Sequence, residues 1–87
     1  MAAMPGWFVW TTSAELGEAV LVARKAVGLT QAALAARARV TARFIYSLER
    51  GKASLRNDKT LAVLAALGLM PLIVPVELLL RELETTL

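Results

Sequence analysis

The sequence predicts an all-α fold, a small helix bundle followed by a short C-terminal strand and a tail helix. Three observations predict it. Sixteen Ala and sixteen Leu among 87 residues make the chain rich in strong helix formers. Apolar residues recur at helical spacing through most of it. Gly28, Gly51 and Gly68 then stop successive runs, as glycine does just past helix C-termini. The length allows one domain, and a chain so short buries only about 60 to 65% of its unfolded surface. An apolar content of 57% is too high for disorder and suggests oligomerisation.

Each element follows from local chemistry. Thr12 with Glu15 three residues on has the spacing of a capping box, and Leu16, Val20, Ala23 and Val27 continue a helix over about residues 13–27. Thr30 caps a second helix with Leu34, Ala35 and Ala38 inward. Thr41 caps a third with Ile45 and Leu48 inward, ended by Gly51. Asn57 or Asp58 is expected to cap a fourth, with Leu61, Leu64 and Leu67 on one stripe. Beyond Gly68 the prolines of Leu69-Met70-Pro71-Leu72-Ile73-Val74-Pro75 forbid a helix interior, and the branched residues suit an edge strand. Leu79, Leu80, Leu83 and Leu87 then mark a tail helix. The expected division is an extension over 1–12, a core domain over 13–69, and a strand with tail helix over 70–87.

Composition removes most chemistry. With neither Cys nor His, thiol nucleophiles, imidazole bases, disulfides and the common zinc sites are excluded. The carboxylates show no paired or metal-ligand spacing beside a nucleophile, so neither an enzyme nor a cofactor or metal is expected. The N-terminal stretch has no basic region of the signal-peptide kind. The run from Thr60 to Val76 has 17 uncharged residues broken by Gly68, Pro71 and Pro75, against about 20 unbroken ones for a membrane span. Cytoplasm is the expected location, with no membrane partner.

The net charge of +3 is unevenly placed. Residues 24–59 hold nine basic groups against Glu49 and Asp58, whereas both ends of the chain are acidic. Such a middle segment attracts polyanions. Two short helices joined by a turn and preceded by a longer one are the layout of a DNA reader whose second short helix enters the major groove.

The residues in that layout carry a resemblance. Arg24-Lys25-Ala26-Val27-Gly28-Leu29-Thr30-Gln31-Ala32-Ala33-Leu34-Ala35, then Val40, Ile45, Leu48-Glu49-Arg50-Gly51-Lys52 and Leu64-Ala65-Ala66-Leu67-Gly68-Leu69, resemble the Cro and phage-repressor (XRE-like) helix-turn-helix regulators over about residues 16–69. Within that family the stretch from Arg43-Phe44-Ile45 to Lys52 and the apolar segment after the fourth helix look most like HipB-type antitoxins. The resemblance implies a lambda repressor-like bundle and a homodimer on double-stranded operator DNA. It also implies repression of the protein's own toxin–antitoxin operon and binding of a HipA-like kinase toxin. Arg24 and Glu49 are implied to form an ion pair between the first helix and the end of the third. The family usually has Gly in the left-handed turn between its second and third helices, where this chain has Arg39, at a cost of roughly 1 kcal/mol.

With the third helix starting at Thr41, the residues off its apolar stripe are Ala42, Arg43, Tyr46 and Ser47, the expected base contacts. Arg43 can donate twice to guanine, Ala42 can touch a thymine methyl, and Ser47 can bond either base type. The alternative for Arg43, Tyr46 and Ser47 is an ordinary solvated surface. Expected backbone contacts are Gln31 and Thr41, at helix N-termini that attract phosphate, and Arg50, Lys52, Ser54 and Arg56 just past the third helix. Lys59 and Arg39 read as surface charges, and Phe44 as either core or sugar contact. Leu69, Leu72, Ile73, Val74, Leu79, Leu80 and Leu83 have no burial site in four small helices and are assigned to a dimer interface, with residues 69–74 of two chains paired as a ribbon. The alternative is that this segment folds back on its own domain. Residues Trp7 to Trp10 either join that interface, contact the toxin, or form a lid over the core. Two rival functions remain: a stand-alone regulator without a toxin, and a helix-turn-helix scaffold used only for protein interaction.

Overall fold

The computed structural model describes residues 8–86, in which five helices follow one another: α1 (Ser13–Ala26), α2 (Gln31–Ala38), α3 (Ala42–Glu49), α4 (Asn57–Ala66) and α5 (Val76–Thr86). Trp7 lies outside the described residues, as does the Leu83 side chain. α1 packs on α3, and α2 packs on both α3 and α4. Val20, Leu34, Ile45 and Val63 are completely buried where these four meet, and Ala35, Ala38, Leu48 and Leu64 complete the core. No single helix among the described residues is long and apolar enough to cross a membrane.

The helix starts follow the caps. The Thr12 hydroxyl accepts from the Glu15 N–H (3.1 Å) while the Glu15 carboxylate accepts from the N–H groups of Thr11 (2.7 Å) and Thr12 (3.2 Å), a reciprocal box. The Thr11 N–H foremost, with the Thr11 hydroxyl and Thr12 behind it, holds Glu15 below the ordinary carboxylate range. Thr30 caps the Ala33 N–H and Thr41 the Phe44 N–H, each at 3.0 Å. α4 differs from expectation: it begins one residue earlier, with Arg56 at the cap position and no side-chain cap bond. Leu55 is drawn into the core just before it, and the Arg56 carbonyl already accepts the Thr60 N–H. The inward stripe is therefore Thr60, Val63, Leu64 and the half-buried Leu67, whereas Leu61 is exposed. Thr60 tolerates its inward place because its hydroxyl donates to the Arg56 carbonyl (3.0 Å).

The helix ends share one solution. After each of α1 to α4, a left-handed residue lets two N–H groups return to carbonyls of the last turn, as in Val40 N–H to Ala35 O (3.0 Å) after α2. Gly28, Gly51 and Gly68 serve in three of these turns; the fourth uses Arg39 at φ 59°, ψ 43°. The left-handed turn between α2 and α3 is thus made without a glycine. Ending α1 at Ala26 rotates Val27 into solvent, and Leu29 fills the place on the core expected of it.

The expected C-terminal strand is not formed. Residues 69–75 have neither helix nor strand, because Pro71 and Pro75 lack N–H donors and no neighbouring strand is available among the described residues. Leu69 packs on the bundle core, and its N–H donates to the Leu64 carbonyl (2.8 Å), so this residue of the expected interface is already used within the chain. Met70, Leu72, Ile73, Val74, Val76, Leu78 and Leu80 are exposed, and Leu79 is half-buried.

Candidate nucleic-acid interface

α3 is held by its apolar side and open on the other. Ile45 and Leu48 are buried, while Ala42, Arg43 and Tyr46 are exposed and Ser47 is half-buried. The structure therefore brings together at one helix face the four residues expected to meet bases. Thr41 is exposed, although its hydroxyl is occupied by the cap bond to Phe44. The Arg50 guanidinium lies over the Tyr46 ring (5.6 Å to the centroid), a contact that limits the ring's freedom at the C-terminal end of the face. Lys59 of α4 similarly lies 6.0 Å from the Phe44 ring. Phe44 packs against the core and is half-buried, so α4 brings its ammonium to the side of α3.

The loop after α3 presents Lys52 and Ser54 to solvent. Arg56 is exposed as well, but its Nε and Nη2 donate to the two Asp58 oxygens (3.1 and 2.7 Å), so its charge is matched within the chain. That guanidinium holds the Asp58 carboxyl below its ordinary range. The pairing leaves Arg56 with less uncompensated charge than Arg50 or Lys52. The Arg56–Asp58 spacing of two residues is not a helix-face spacing, so no periodic pattern signals the pair.

Behind the face lies an ion pair. Arg24 Nε donates to Glu49 Oε2 (2.6 Å) and Nη2 to Oε1 (3.0 Å), while Nη1 donates to the Leu29 carbonyl (2.8 Å). Both side chains are buried. The Glu49 bonds raise the Arg24 pKa, with burial opposing them. A Cβ on Gly17 of α1 would lie within 2.9 Å of the Glu49 carbonyl oxygen. A glycine there lets α1 approach the end of α3 closely enough for the pair to form. Gln31 Nε2 donates to Glu49 Oε1 (3.0 Å), a link between the start of α2 and the end of α3 that sequence reasoning missed. Eighteen residues separate the two, with no periodic signal to join them.

Also near the C-terminal end of α3, Trp10, Leu16, Leu48, Lys52 and Leu55 line a shallow cleft of about 170 Å³. Trp10 thus stands beside the core at the N-terminal edge of the bundle. No group of acidic side chains that could hold a metal ion occurs among the described residues.

None of the curated proteins compared with the chain matches it significantly. A family model described as a helix-turn-helix domain matches residues 15–73, from the first turn of α1 through α4 and into most of the extended segment. That match covers well over half of the sequence, and the chain belongs to the helix-turn-helix domain family, whose layout is that of DNA-binding regulators.

Proposed function

We propose that this protein is a sequence-specific transcriptional repressor that binds operator DNA as a homodimer in the cytoplasm. We also propose that it is a HipB-like antitoxin, repressing its own operon and binding a HipA-like kinase toxin. The observation that carries the DNA reading is the open face of α3, with Arg43 exposed above a buried Ile45 and Leu48 and with Arg50 and Lys52 exposed just beyond. Arg43 reads guanine; Arg50, Lys52 and the N-termini of α2 and α3 hold phosphates. The dimer reading is supported by the run of exposed apolar residues after Leu69, an apolar surface of the kind that marks an association site. A second chain would supply the missing strand edge for residues 70–74. The toxin assignment rests on the resemblance to HipB-type antitoxins.

Titration of duplex affinity against salt tests the DNA reading. Each cation that meets a phosphate should contribute about −0.9 to the slope of log K against log salt. Weak, salt-insensitive binding would favour the scaffold used only for protein interaction. Sizing a chain cut after Leu69 tests the dimer: loss of association is expected, and an intact dimer would exclude the ribbon.

A further inference from the structure

We infer that the Arg39 guanidinium meets a DNA phosphate at the opposite end of α3 from Arg50 and Lys52; the inference rests on the DNA-binding reading above. From the sequence Arg39 reads as an ordinary surface charge, but its backbone sets it apart. It is the only non-glycine residue at positive φ among the described residues (φ 59°, ψ 43°), a conformation that a long side chain adopts at a cost and that glycine or asparagine adopts more readily. The turn does not need an arginine. Its hydrogen bonds come from backbone alone, Val40 N–H to Ala35 O (3.0 Å) and Arg39 N–H to Ala36 O (3.4 Å), and Gly28, Gly51 and Gly68 serve the other closures.

The fold does not use the side chain either. Arg39 is exposed, as are Arg37 and Arg43, and none of the three side chains makes a hydrogen bond or ion pair with a described residue. No Asp or Glu occurs between Glu18 and Glu49, and Glu49 is committed to Arg24. Three positive charges therefore stand within seven residues around one turn without a carboxylate to match them. They repel one another in the free protein, and a polyanion turns that cost into attraction. Position then selects the contact. α3 has eight residues, about 12 Å at 1.5 Å each, similar to the major-groove width of about 12 Å. Arg50 and Lys52 follow its last turn, whereas Arg39 stands two residues before its cap, Thr41. Cations at one end alone would let the helix pivot on that anchor. A cation at each end holds the base-reading side chains between two points of the backbone.

Arg39→Gly tests the inference, because folding and binding should move in opposite directions. On a duplex enriched from a randomised pool by the wild-type chain, the variant should bind about tenfold more weakly for each chain bound at about 0.1 M salt, with a slope of log K against log salt shallower by about 0.9 per chain. It should nonetheless melt higher, since its backbone strain is relieved. Arg39→Lys keeps the charge and should keep the slope. Ethylation interference on the same duplex should reveal one phosphate per half-site that matters to the wild-type chain and not to Arg39→Gly. Wild-type affinity and slope in Arg39→Gly, or an unchanged ethylation pattern, overturn the inference. If Arg39→Gly does not fold, Arg39→Asn takes its place with the same readings, because asparagine tolerates the left-handed backbone. A folded wild-type chain that binds no duplex overturns the DNA reading, and this inference with it.

Discussion

The bundle of α1 to α4 and the segment over 69–75 are both rich in apolar residues and have opposite fates. In the bundle, Thr caps and left-handed closures bring each apolar stripe onto the next, and Ile45 is 0% exposed. In the segment, two prolines stop helix formation, no strand lies alongside among the described residues, and Ile73 is 100% exposed. Apolar content therefore does not settle burial. A partner surface does, and the bundle contains its own.

Glu49→Ala should have the largest effect on this contrast, destabilising the bundle by about 3 to 5 kcal/mol because it leaves Arg24 buried without its counter-charge. A variant with unchanged melting temperature and altered operator preference would contradict the structural role of the pair. Next, Ile45→Ala should cost about 3 kcal/mol in urea unfolding, whereas Ile73→Ala should change the stability of the isolated chain by less than about 0.5 kcal/mol. Equal losses at the two positions would show that residues 70–74 are buried in the single chain. A smaller gain is expected from Arg39→Gly, which relieves the left-handed backbone in the only non-glycine closure among the described residues and should stabilise by about 1 kcal/mol. A lower melting temperature would mean that the Arg39 side chain contributes more than its backbone costs.

The smallest effect concerns acid. Glu15 has a lowered folded-state pKa, so its contribution is present above the unfolded-state value and is lost as pH falls through the folded-state one. Melting temperature should decline slightly through the acid carboxylate range, and Glu15→Gln should make that decline shallower. An identical pH profile in Glu15→Gln would show that the box does not stabilise α1.

Much of the bundle was legible because its signals are local. Thr12, Thr30 and Thr41 announce helix starts, Gly28, Gly51 and Gly68 announce ends, and the outward set Ala42, Arg43, Tyr46 and Ser47 follows from helical spacing once Thr41 fixes the start. Less local features were harder to read. The start of α4 moved because Leu55 is drawn into the core, and Leu61 gave its place to a Thr60 whose hydroxyl is satisfied by backbone. The Arg56–Asp58 pair and the Gln31–Glu49 bond depend on how chain segments meet. The strand expected after Gly68 is absent for a related reason: branched residues favour an extended backbone, but a strand also needs a neighbour.

Selection from a randomised duplex pool, run in parallel with wild-type protein and Arg43→Ala, tests the central claim most directly. An inverted repeat with half-sites about 10 base pairs apart is expected, with preference at one position of each half-site relaxed in Arg43→Ala and binding reduced by about 1 to 3 kcal/mol. Enrichment no greater than that of bulk DNA by a folded protein would contradict it.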